Sequence, residues 1–317
     1  MIYHAFPGLP RPASRLVLGT AGLTARNAAT AFALLDAFVD GGGTLIDAAR
    51  IYARGEGEAV VGNWLVSRGQ REHVLLETKG CHPHADEPRV RKAALDEDLA
   101  RSLAALRTDV LDLYLLHRDD PAVPASEIVD WLAEHHSSGR VRAYGGSNWT
   151  PARVDAANAY ARAHARPPFA AVSNNLSLGV PKQPMWKGCL SIDPAALRWH
   201  VATQMPNLAW SSQAHGFFSG RFAPGDRTSA EVTRVYDSDI NWERLRRAQR
   251  LGAQRGFSAI QVACAYVLGQ PFPSLAIVGP ASVNELRSSL AATGVALRAD
   301  ELAWLEGAGE PERPPAA

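Results

Sequence analysis

Short apolar runs rich in β-branched residues alternate along the chain with longer stretches of helical periodicity. The runs fall at 15–19, 44–47, 74–78, 111–116, 143–146, 170–172, 208–210 and 276–278, and each predicts a strand. Between them Leu95, Leu99, Leu103 and Leu106 step by four, four and three, which places one apolar stripe along a helix. Phe32, Leu35 and Val39 repeat that spacing, and the glycines at 41–43 end the helix they predict. Thr150-Pro151 and Asp193-Pro194 each set a capping side chain before a proline suited to the first helical turn. Ser258 is placed to cap a further helix over 259–268.

Strict alternation of strand and helix implies parallel strands joined by helical crossovers. Eight such units favour closure into an α/β (β/α)8 TIM barrel, and 317 residues suit one barrel domain with insertions. An open doubly wound sheet is the competing architecture. Its fingerprint G-x-G-x-x-G is absent after the first strand, where the chain reads Leu18-Gly19-Thr20-Ala21-Gly22. Only 311–317, proline-rich and polar, reads as a loose tail.

Charge narrows the partners. There are 33 basic and 32 acidic residues, a net of +1, with no long run of one sign. Nucleic acid and anionic membranes select for concentrated basic patches and are not expected here. No apolar run nears the roughly 20 residues that span a bilayer, and the first 15 residues lack the apolar core of a secretory signal. Cys81, Cys189 and Cys264 form no C-x-x-C pair. A disulfide framework is not expected, and a reducing cytoplasm is the simplest setting.

In a βα barrel, chemistry gathers where strands run into their following loops. Four predicted strands end on polar groups: Asp47, Lys79, His117, and the pair Ser147 and Asn148. They are spaced by about one βα unit of 30 or more residues, so all should ring one mouth. Tyr52 follows Asp47 within the same loop. A free phenol, with pKa near ~10, is a weak proton donor at neutral pH. A lysine cation beside it is expected to stabilise the phenolate and bring that value down, with Asp47 keeping the lysine charged. His117 can hydrogen-bond and orient a substrate oxygen. Taken singly, an Asp–Lys pair is an ordinary ion pair and a histidine after a strand is an ordinary structural residue. The four together form a proton donor suited to a carbonyl oxygen.

These residues resemble the aldo-keto reductases over nearly the whole chain. The resemblance is carried by Leu18-Gly19-Thr20, the stretch from Gly43 through Asp47 to Tyr52, Gly57-Glu58, Glu77-Thr78-Lys79 and the run from Leu111 to His117. It continues in Gly146-Ser147-Asn148-Trp149, Trp210-Ser211-Ser212, Gly216 to Gly220, and Ile277-Val278-Gly279. It implies hydride transfer between a nicotinamide cofactor and an aldehyde, ketone or sugar carbonyl. Tyr52 would protonate the forming alkoxide, Lys79 and Asp47 would tune it, and His117 would orient the carbonyl. For the cofactor, the resemblance implies Gly19, Thr20 and Asp47 beside it and Ser147 and Asn148 on the carboxamide. It also implies Trp210 stacked on the ring, and Ser211, Gln213, Gly216 and Phe217 along the pyrophosphate. Gly279, Ser282, Glu285 and Ser289 would form the nucleotide end. The loop motifs are closest to members resembling potassium-channel β subunits. That leaves a cofactor-binding regulatory subunit with weak turnover as the alternative.

The sequence departs from the family pattern in places. Where glutamine is usual on the sixth strand, Ser173 stands, followed by Asn174 and Asn175. The family prior favours NADP(H). However, 279–285 holds no basic residue for a 2′-phosphate, which keeps NAD(H) open. Ser282-x-x-Glu285 also reads as a capping box. Cys81-His82-Pro83-His84 matches no standard metal spacing. His82 and His84 are candidates for substrate contact, with no metal expected. A metal-dependent barrel isomerase or lyase is a third reading, and a lysine among the strand-end groups argues against it. Substrate, reaction direction and oligomeric state are not written in these motifs.

Overall fold

The computed structural model describes residues 1–85 and 87–309; the tail expected at 311–317 lies outside the described residues. A short antiparallel hairpin comes first, β1 (Tyr3–His4) with β2 (Ala13–Ser14). Eight parallel strands follow: β3 (Leu16–Gly19), β4 (Leu45–Asp47), β5 (Leu75–Gly80), β6 (Leu111–Leu116), β7 (Val141–Ser147), β8 (Ala171–Ser173), β9 (Asn207–Ala209) and β10 (Ser274–Val278). They hydrogen-bond in chain order, and β10 returns to β3, which closes the barrel.

The helices pack around it: α1 (Ala28–Asp40), α2 (Glu56–Arg68), α3 (Lys92–Leu106), α4 (Ala125–Ser137), α5 (Pro151–Ala163) and α6 (Pro194–Thr203). Three more, α7 (Ala230–Val235), α8 (Asp239–Arg255) and α9 (Ala259–Leu268), lie between β9 and β10. The described chain ends with α10 (Val283–Ala291) and α11 (Ala299–Glu306). Among the described residues no helix is long and apolar enough to cross a membrane.

All eight expected strands form, with shifted ends. The hairpin was not anticipated, because two-residue strands carry no periodicity. Phe6, in its loop, packs with Val17, Leu45, Leu75, Leu113, Leu208 and Leu275, so it closes the floor of the barrel interior. On α1 the buried residues are Ala31, Leu34, Leu35 and Phe38. Phe32 and Val39 only flank the core, so the stripe read from the sequence is rotated around the helix.

The caps are as expected. Thr150 accepts from the Arg153 amide, Asp193 from the Ala196 amide, and Ser258 donates its amide to Gln261. At the amino ends of the strands, buried Asp112 binds Arg71, Arg142 and the Leu76 amide. That network braces the end of the barrel away from the polar strand ends.

Candidate active site

The carboxyl ends of the strands open into one cavity of about 1720 Å³. That exceeds the usual range for a single drug-sized ligand and leaves room for two reactants. Its wall includes Gly19, Asp47, Tyr52, Lys79, His82, His117, Ser147, Asn148, Trp210, Ser211, Gln213, Gly216, Gly279, Glu285 and Ser289. These are most of the residues expected from the sequence.

Six expected residues stand elsewhere. Thr20 is buried, and its amide donates to the Asp47 carbonyl. Ser173 donates to the Leu208 carbonyl, and Asn174 donates to that of Trp149, so both join β8 to its neighbours from behind the wall. Phe217 packs in the core against Phe218 and Trp242. Ser282 caps α10 through the Glu285 amide. His84 sits in a backbone bridge with Glu87.

Asp47 ends β4, and Lys79 is the last residue but one of β5. The Lys79 ammonium, 2% exposed, donates to Asp47, to the Ala48 carbonyl at 3.1 Å and to Glu77 at 3.2 Å. From the sequence alone Glu77 has no role beyond its place in Glu77-Thr78-Lys79. Side chains two apart on a strand share a face, so it lies directly below Lys79 and is fully buried. One cation therefore serves two carboxylates. Burial pulls Lys79 down, but Asp47 and then Glu77 outweigh it, and the ammonium is held above its ordinary pKa. Burial drives Glu77 well above the carboxylate range.

The loop between Asp47 and Tyr52 is pinned from outside. Buried Glu58 on α2 accepts from Arg50 at 3.0 Å and from the Thr78 hydroxyl at 2.8 Å. Tyr52 then stands edge-on to His117, with centroids 6.0 Å apart, and the Lys79 ammonium lies 5.4 Å from its ring centre. The expected fall in the Tyr52 pKa does not occur. Lys79 acts downward as anticipated, but burial and the nearby Asp47 charge push harder upward, so the phenol keeps its proton well past neutrality.

Burial, Lys79, His82 and Arg118 all push His117 well below its ordinary pKa. Its imidazole is neutral at pH 7, and its Nδ1 has no partner among the described residues. His82 sets its ring 4.7 Å from that of His117.

The buried histidines have a measurable consequence. His117 and His200 are buried and held low by desolvation, and His4, His82 and His215 shift the same way. Below pH ~6.5 the unfolded chain takes up protons that the folded chain refuses, so stability falls as pH falls. Glu77 and Asp119 oppose this, since burial raises both carboxyls and a raised pKa favours the folded state in acid. Urea unfolding should show a loss of about 1 kcal/mol or more between pH 7.5 and 5.5. A gain over that range would contradict the burial described here.

The other half of the cavity is polar but largely tied down. Ser147 donates to the Ser173 carbonyl, and Asn148 donates to Ser147 and accepts from the Leu190 amide. Gln213 reaches across to Ser289 at 3.2 Å and joins the loop after β9 to α10. Gly216 has φ +79, open to glycine without strain. Asn148, Ser211, Ala214 and His215 also hold left-handed backbone without that freedom. Strained backbone of this kind gathers at ligand sites. The Trp210 indole N–H is buried with no partner among the described residues. An aromatic face with an orphaned donor, beside backbone turned toward open space, fits a flat polar ring with a dinucleotide tail.

Residues 15–310 match the profile of the Aldo/keto reductase family. The chain is 26% identical to the aldo-keto reductase YhdN of Bacillus subtilis, over 91% of this chain and 88% of that protein. It is 28% identical to the norsolorinic acid reductase stcV of Emericella nidulans, over 87% of this chain and 71% of that one. Among solved structures, an aldo/keto reductase from Klebsiella pneumoniae in complex with NADP and acetate superposes with a TM-score of 0.69 at 26% identity. The match covers 93% of this chain and 91% of that one. A glycerol dehydrogenase from Gluconobacter oxydans, 22% identical, shares the fold over 98% of each chain with a TM-score of 0.79. The chain belongs to the aldo/keto reductase family, a family of oxidoreductases.

Proposed function

We propose that the chain is a single-domain carbonyl reductase or alcohol dehydrogenase dependent on NADP(H), acting on an aldehyde, ketone or sugar. One observation carries the reading: Tyr52, Lys79, Asp47 and His117 converge on the wall of one cavity. The cofactor, when bound, supplies or accepts the hydride. Trp210 would hold the nicotinamide ring. Ser147 and Asn148 would hold its carboxamide, and the backbone around Gly216 would hold the pyrophosphate.

Tyr52 donates its proton to the oxygen of the reduced carbonyl. The Lys79 ammonium steadies the phenolate left behind, and Asp47 keeps that ammonium charged. His117, neutral and buried, offers a ring nitrogen that aligns the carbonyl before the proton moves. These groups act through position and general acid catalysis. NADP(H) is favoured because solved relatives carry NADP or NADPH. The named relatives are reductases and a dehydrogenase, which favours turnover over a purely regulatory role. The buried free thiols of Cys81, Cys189 and Cys264 suit a reducing cytoplasm.

The test is titration with NADPH and NADH, followed by oxidation of the reduced cofactor against aldehydes, ketones and sugars. Failure to bind either dinucleotide, or binding with no turnover on any of the panel, would end the reading. Glu285 adds a second expectation. It is exposed on the cavity wall, and its carboxylate accepts the Ala281 amide at 2.8 Å. A negative charge there disfavours an extra phosphate. Glu285→Gln keeps the acceptor and should tighten NADPH about twofold to threefold relative to NADH, the scale of a screened surface charge. An unchanged ratio would place the phosphate away from α10.

A further inference from the structure

Arg118 is the first residue beyond His117 and lines the same cavity. It is 8% exposed. Its guanidinium donates to the His117 carbonyl at 2.8 Å and to the Cys189 sulfur at 3.0 Å. No carboxylate pairs with it among the described residues.

Its neighbours differ. Arg89 holds Asp98 with both terminal nitrogens, at 3.1 Å each. Arg153 holds Asp119 at 2.9 Å, and Arg50 holds Glu58. Lys79 takes Asp47 and Glu77. Each of these acids is paired, and among the described residues the buried Arg118 guanidinium beside them has no carboxylate. Cys189 does not neutralise it, because burial holds that thiol above its ordinary pKa despite the adjacent cation.

A charge buried without a counter-ion is costly, and proteins keep one where a partner arrives. We propose that the partner is the substrate: a carbonyl compound, or its alcohol, bearing a carboxylate that Arg118 receives. The inference rests on the reductase reading above, which makes this cavity the substrate site. A guanidinium has five N–H donors, and the two contacts described leave others for the fork geometry that a planar carboxylate matches. Gly188 leaves the flank of Arg118 bare; a side-chain carbon there would stand 3.8 Å from its Cδ and Nε. The single positive charge of Arg118 matches one negative charge. Oxo acids, aldehyde acids and uronate-type sugars fit, with the carboxylate on Arg118 and the carbonyl on Tyr52 and His117.

The test reads binding, so its outcome separates from turnover. Protein saturated with NADP+ is titrated by calorimetry with benzoate and with benzamide, which share a shape and differ in charge. Benzoate should bind at least about tenfold tighter, the scale of a charged hydrogen bond. Arg118→Gln should bring the two within about twofold, and Arg118→Lys should retain part of the preference. Equal binding to the parent protein, or a preference intact in Arg118→Gln, would overturn the proposal. Benzenesulfonate binding tighter than benzoate would overturn the choice of carboxylate. Tyr52→Phe should keep the benzoate preference, so a loss of turnover there speaks to the acid and not to Arg118.

Discussion

Tyr52→Phe should bind NADPH as tightly as the parent protein and reduce aldehydes at least about 10²-fold more slowly, the scale of general acid catalysis. The substitution removes one oxygen from a ring that stays packed edge-on to His117. The cofactor half of the cavity is untouched, so affinity and turnover should separate. The pH profile supplies a second readout. Because burial and Asp47 hold the Tyr52 proton past its usual range, reduction by the parent protein should show no loss of the donor as pH rises to about 9. A Phe variant with parental kcat would remove Tyr52 from the reaction altogether.

Lys79→Met should carry the largest stability cost. It leaves Asp47 and Glu77 buried side by side with no cation between them. Removing one partner of a buried pair typically costs about 3–5 kcal/mol. The remaining carboxylates would bind protons more tightly folded than unfolded, so the variant should recover stability as pH falls from 7.5 towards 5. The histidines drive the parent protein the other way, and the gap between the two should narrow in acid. Urea unfolding at both pH values measures this. A gap below about 1 kcal/mol at pH 7.5, or one that does not narrow in acid, would mean that Lys79 is not the counter-charge described. Adding Glu77→Gln should return part of the loss, because one carboxylate then needs no cation.

The barrel was legible because eight largely apolar runs recur at βα spacing. The strand-end residues were legible for a related reason. Asp47 and His117 each follow an apolar run directly, Lys79 stands three residues past Leu76, and a strand end fixes where a side chain points. Glu77 was within reach of the same rule, two positions before Lys79. It reads at first as a stray acid, since a buried carboxylate needs knowledge of what lies opposite.

Loops obey no such period. Phe217 looked like a cavity residue from its place in a motif, yet the turn through His215 and Gly216 swings it into the core. Ser173 and Asn174 lie at the edge of β8, where a step of one residue exchanges cavity for interior. Arg118 adjoins His117 in the sequence, but the lack of an acid partner exists only once the chain is folded.

Phe6 and the hairpin that carries it seal one end of the cylinder, and this bears on the order of events. With the base shut, everything that comes in must leave by the same door. Two molecules sharing a single doorway form a queue: the one lodged deeper arrives first and departs last. Traffic through this protein should therefore run in sequence, and its slowest step can be an exit.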